Sequence, residues 1–223
     1  MGAGKRGMKT YRCFLARRAT WVAMTIMCAL PAMAADPATA APQFNDKGEL
    51  LRPEDYRSWV FLNTALGLTY GPNRPPAGAP QVFTSVFVNP KAYAQFQQSG
   101  QWPDGTIFAL EVRPGLSPPA ALEGAITQGP RRALEVAVRD STRYPDGGWS
   151  YFSFDPPREN PGAFREQAAP FARTAGCYAC HQKHGAVQWT FTQFYADAFE
   201  RAKQLGTVRK DYDAARKIEE AGH

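Results

Sequence analysis

Past residue 34 this chain of 223 residues contains no methionine: Met1, Met8, Met24, Met27 and Met33 all precede that point. Cysteine is almost as scarce, with Cys13 and Cys28 upstream and only Cys177 and Cys180 downstream. A disulfide framework is thereby excluded, as is a thioether ligand for any metal in the downstream part. Charge of one sign is lacking there too. Residues 1–34 hold six of the 26 basic residues and no Asp or Glu, leaving 20 basic against 20 acidic side chains in the rest. The net charge of +6 is therefore a property of the N-terminal segment, and the electrostatic footprint of a nucleic-acid-binding protein is missing.

That segment reads as a secretory signal, residues 1–34. Basic residues end at Arg18, an apolar run extends from Ala19 to Leu30, and Ala32-Met33-Ala34 forms a small-x-small cleavage site. The run is short for a membrane span and Pro31 interrupts it, so a cleaved, periplasmic protein without a membrane anchor is expected. The length suits a single core. Residues 35–53, rich in Ala and Pro, read as a flexible leader, residues 54–207 as the folded domain, and residues 208–223, with alternating charges, as a solvated tail.

Within the domain the patterning predicts an α+β fold: a mainly antiparallel sheet of four or five strands with a few helices. Apolar residues at roughly helical spacing predict a helix over 54–68. Strands are expected over 81–88, over 106–113, over 132–139 and after the second of two similar turns. Those turns are Trp102-Pro103-Asp104-Gly105 and Tyr144-Pro145-Asp146-Gly147, in which proline fixes φ and glycine supplies freedom. Asn89-Pro90 predicts an N-cap for a helix over 90–99 closed by Gly100, and a second helix with an aromatic face is expected over 186–204.

The chemistry concentrates in Cys177-Tyr178-Ala179-Cys180-His181, a C-x-x-C-H motif near the C-terminus. Two thiols three positions apart can add to the two vinyl groups of one haem, and the adjacent imidazole then reaches the iron. A secretion signal agrees independently, because c-type haem is attached outside the bacterial cytoplasm. Three other uses of the motif compete. A disulfide oxidoreductase would want a βαβ setting. Zinc held by Cys177, Cys180, His181 and His184 would need four ligands within eight residues. A plain disulfide would close a loop of only four residues.

With one covalent haem c bound through His181, the second axial position becomes the functional question. Methionine is unavailable, His184 lies three residues beyond His181, and His223 is the last residue. An iron with an open distal face follows, suited to nitric oxide or a similar diatomic or nitrogenous ligand. Phe83, Phe87, Phe108, Leu110, Tyr151, Phe152 and Phe154 are candidates to line an apolar pocket, with Phe108, Leu110 and Phe152 foremost, though each also suits ordinary core packing. Glu111 and Glu135 sit in otherwise apolar strands. Such carboxylates usually face solvent, and one facing the haem would serve as a proton relay.

Several stretches together resemble the cytochrome P-460 family, which includes cytochrome c′-beta: FTSVFVNPKAYAQF, WPDGTIFALEVR, GGWSYFSF and CYACHQKHGAVQWTFTQFY. The resemblance runs from about Tyr56 to Tyr195. It implies a mainly antiparallel fold with one c-type haem, usually as a homodimer, with Cys177 and Cys180 as thioether sites and His181 as axial ligand. The name-giving members oxidise hydroxylamine and cross-link a strand lysine to the haem. The c′-beta members lack that activity, bind nitric oxide and carbon monoxide, and cap the distal face with phenylalanines. Here the family lysine would fall near Leu110, and TIFALEVR contains none. The expected function is thus a high-spin haem protein that binds small ligands. An oxidoreductase acting on hydroxylamine, nitric oxide or peroxide, and an electron carrier with a redox partner protein, are the other readings.

Overall fold

The computed structural model describes residues 1–2, 40–68, 81–117 and 124–212. Most of the expected signal, its cleavage site and the tail past residue 212 fall outside these residues. In chain order the elements are β1 (Leu50–Leu51), β2 (Val60–Leu66), β3 (Val82–Val88), α1 (Pro90–Ser99), β4 (Ile107–Leu116), β5 (Thr127–Gln128), β6 (Ala133–Arg139), β7 (Trp149–Ser153), β8 (Gln167–Ala168), α2 (Gly176–His184) and α3 (Ala196–Gln204). The α+β, mainly antiparallel architecture expected from the sequence is present.

Five strands form the sheet in the order β2-β3-β4-β6-β7, and the short β5 adds to the end of β4. Neighbours are antiparallel throughout. The central strands bury both faces, as their runs of β-branched and aromatic residues require. Side chains alternate between the faces, and two apolar cores result. Val88, Phe108, Ala137 and Tyr151 lie side by side across the register and face α1, α2 and α3. One step along each strand, Phe87, Ala109, Val136 and Phe152 face the opposite way, towards Phe44 and Leu50. Each fully buried phenylalanine contributes roughly 2–3 kcal/mol relative to exposure.

Three expectations need correction. Residues 54–68 are not a helix: Tyr56–Ser58 make one 3-10 turn and β2 follows. β2 is an edge strand with a bulge between Phe61 and Asn63, and the extra residue breaks the strict alternation, so the apolar spacing imitates a helix. The expected helix over 186–204 begins only at Ala196, after a turn at Val187–Thr190 and a 3-10 turn at Thr192–Phe194. Finally, residues 40–53 pack onto the fold. β1 pairs with β8, and Leu50 is 1% exposed beneath the sheet.

Asn89 stands at the N-cap of α1 but does not cap it with its side chain. Its amide instead donates to the carbonyls of Ala40 and Gly105 and accepts from the N–H of Ile107 at 2.9 Å. It thereby ties leader, turn and β4 together. Gly100 closes the helix in the left-handed conformation with φ 69°, its N–H donating to Phe96 at 2.7 Å.

Candidate functional site

The C-x-x-C-H motif occupies α2. On a helix, residues three and four apart share a face, so Cys177, Cys180 and His181 sit together. Tyr178 anchors this short helix to the sheet. It is 5% exposed, its hydroxyl lies 3.1 Å from Ser150 Oγ and donates to the Phe171 carbonyl at 3.0 Å, and Arg173 covers its ring at 4.1 Å. With that anchor in place Cys177 is half-buried against the sheet and Cys180 is exposed.

The His181 ring lies between two aromatic rings, Tyr151 at 4.6 Å and Phe191 at 4.5 Å. Its Nδ1 is 2.9 Å from the carbonyl oxygen of Trp189. A carbonyl can only accept, so Nδ1 carries the proton and Nε2 keeps its lone pair. Burial lowers the affinity of this imidazole for a second proton, against the opposing pull of the Trp189 carbonyl. A neutral ring with Nε2 available is the form that ligates a metal.

Beside α2 the sheet presents a second row on the same face: Val86, Leu110, Glu135 and Ser153. Leu110 and Glu135 are half-buried. Glu135 acts electrostatically on the Cys177 thiol, and burial is the main reason that both hold their protons more tightly than usual. Leu110 thus stands on the face nearest the motif, where the family lysine was expected to fall. The described strands contain no lysine: Lys47 is in a turn, Lys91, Lys183 and Lys203 are on helices, and Lys210 follows α3.

Other candidates lie elsewhere. Phe152 faces the leader core, its ring tilted against that of Phe44 with centroids 6.3 Å apart, and Phe87 and Phe154 lie in that same core. β7 exposes only alternate residues to α2, so Tyr151 and not Phe152 meets the motif. Phe108 is on the motif's face but is packed between Trp102, Trp149 and Tyr195. Glu111 also points to the leader face. It is 1% exposed, accepts from Arg57 at 2.7 Å and from Arg113 at 2.6 Å, and receives the Tyr56 hydroxyl proton in a hydrogen bond. Burial opposes its ionisation, but the bonds from Arg113, Tyr56 and Arg57 outweigh this and hold its carboxyl below the ordinary range. It is a structural anion, and the relay role does not fit it. A cavity of about 300 Å³ on the leader face, lined by Leu50, Arg52, Trp59 and Ile107, contains neither cysteine nor histidine and so carries none of this chemistry.

Sequence reasoning missed the loop after α2. Gln188 and Trp189 both have positive φ, 46° and 64°, and the Thr190 N–H donates to the Val187 carbonyl at 2.8 Å. This is the signature of a type I′ turn, which ordinarily takes Asn or Gly. Neither residue here announces it.

Among the described residues no three of His, Cys, Asp and Glu are grouped so as to hold a metal ion. The two cysteines are not joined to each other. Two thiols on one helix face, beside an imidazole whose Nε2 is kept available, fit a covalently attached haem.

A search among curated proteins finds no match. The family described as cytochrome P-460 matches residues 53–192, which cover the whole sheet and the C-x-x-C-H helix. The chain belongs to the cytochrome P-460 family, a family of haem proteins.

Proposed function

We propose that the protein is a periplasmic, high-spin c-type haem protein that binds nitric oxide or a similar small ligand. One haem would be held by thioether bonds from Cys177 and Cys180 and ligated axially by Nε2 of His181. The haem supplies an iron able to bind diatomic and nitrogenous ligands. The chain's own residues hold the imidazole neutral, fix its orientation and surround it with apolar side chains.

The observation that carries this reading is the commitment of His181 Nδ1 to the Trp189 carbonyl on the helix that also holds Cys177 and Cys180. His184 supports it negatively. It follows His181 by three positions on the same helix, so it cannot approach a bound iron from the opposite side. His184 therefore gives no support to an electron carrier with two histidine ligands. His223 lies outside the described residues.

Glu135 favours a second reading, an oxidoreductase acting on hydroxylamine, nitric oxide or peroxide. Its carboxyl is on the motif's face and burial keeps it protonated to higher pH, as a proton relay requires. Leu110 speaks against the hydroxylamine chemistry of the lysine-bearing relatives.

Visible spectra of the protein matured in a periplasm test the proposal. An ordinary reduced c-type Soret band that moves on adding carbon monoxide supports ligand binding. A strongly red-shifted reduced band reveals a modified haem and favours the enzyme. Homodimerisation, implied by family resemblance, is tested by the mass of the eluting species.

A further inference from the structure

The Val187–Thr190 turn has more restraint than a surface connection needs. Two non-glycine residues hold positive φ, an arrangement that persists only when its surroundings impose it. Those surroundings come from distant parts of the chain. The Trp102 backbone N–H donates to Gln188 Oε1 at 2.6 Å, and the Trp149 indole donates to the Gln188 carbonyl at 2.7 Å. Thr190 Oγ1 donates to the Val187 carbonyl at 2.7 Å and lies 2.6 Å from the Thr192 hydroxyl. What this fixed turn presents is the Trp189 carbonyl, aimed at His181 Nδ1.

We propose that the strained Val187–Thr190 turn is a positioning device for His181: by fixing the Trp189 carbonyl it selects the Nδ1–H tautomer and sets how strongly Nε2 donates to the haem iron. Trp149, Gln188 and Thr190 act as positioning residues through this carbonyl. The inference rests on the haem reading above and adds to it a control over the iron. A firm Nδ1–H···O bond gives the ring more anionic character, strengthens the iron–nitrogen bond and favours ferric iron. A loosened turn does the reverse.

The test uses the haem-loaded protein and the variants Thr190→Val and Thr190→Ser. Thr190→Val deletes the hydroxyl with little change of shape, whereas Thr190→Ser retains it. Three readouts apply: the iron–histidine stretching band of the ferrous protein, its midpoint potential, and exchange of the His181 Nδ1 proton in the diamagnetic carbon monoxide complex. Thr190→Val is expected to lower the stretching frequency, raise the potential and speed exchange at least tenfold, while Thr190→Ser stays at wild-type values. Trp149→Phe, which removes the donor to the Gln188 carbonyl, is expected to shift all three the same way and replaces Thr190→Val if that variant fails to fold. Unchanged values in either haem-loaded variant overturn the proposal alone. A wild-type chain that takes up no haem overturns the underlying reading, and the proposal with it.

Discussion

Leu110 and Glu135 are direct partners across the β4–β6 ladder, an apolar and an ionisable side chain side by side on the face that carries the C-x-x-C-H helix. Among the described residues no arginine pairs with the carboxylate, and nearby Asp155 adds to the cost of ionising it.

Replacing Glu135 with Gln should therefore stabilise the protein at neutral pH, by about 1 kcal/mol, the lower end of what a buried polar group costs. The pH dependence follows from the raised folded-state value. Between the unfolded value near 4.5 and the higher folded one, the native state holds more protons, so stability falls as pH rises through that window. Thermal unfolding of both proteins between pH 4 and 8 checks this. The gain should vanish at the acid end.

Glu111 predicts the opposite. Its folded-state value is depressed, so its contribution is complete above about pH 4.5 and is lost as pH falls through the lower folded value. Glu111→Gln leaves Arg113 and Arg57 without their anion, but water reaches both guanidinium groups, so the cost should be about 1–3 kcal/mol at neutral pH. Because Glu111 faces the leader core, the visible spectrum of the folded variant should match wild type. Denaturant unfolding and the spectrum are measured together.

Gly147→Ala should strike the site from the second Pro-Asp-Gly turn. A Cβ there would lie 2.0 Å from the Trp189 ring, at a residue with φ 82°. Overpacking and the left-handed backbone together should cost about 3 kcal/mol, read as a lower Tm. The displaced ring should also disturb the environment of His181.

Cys177→Ala and Cys180→Ala, made singly, should each leave haem bound through one thioether. The double variant should release its haem to acidified organic solvent, whereas the wild type retains it. Extraction followed by absorbance of both phases decides the matter.

Much of this was legible in the sequence because it is local. The strands of the central sheet announce themselves by β-branched and aromatic runs, and the motif by its spacing. Parity was harder. Tyr151 and Phe152 are equally aromatic, and only the register with Ala137 and Val136 shows which of them meets the histidine. Glu111 between Leu110 and Val112 looks like a solvent-facing carboxylate, since its partners Tyr56 and Arg57 lie 55 and 54 residues earlier in the chain. The turn at Gln188 and Trp189 gave no local sign, because its conformation is imposed from Trp102 and Trp149.

Those distances have a kinetic consequence. The contacts that orient the imidazole span 86 residues from Trp102 to Gln188 and 39 from Trp149. Closure over such separations is slow compared with forming a helix, so the nine residues of α2 can coil well before anything aims His181. The histidine acquires its final direction only when the chain between the two tryptophans has been threaded into register, and its orientation is in effect a record that folding has finished.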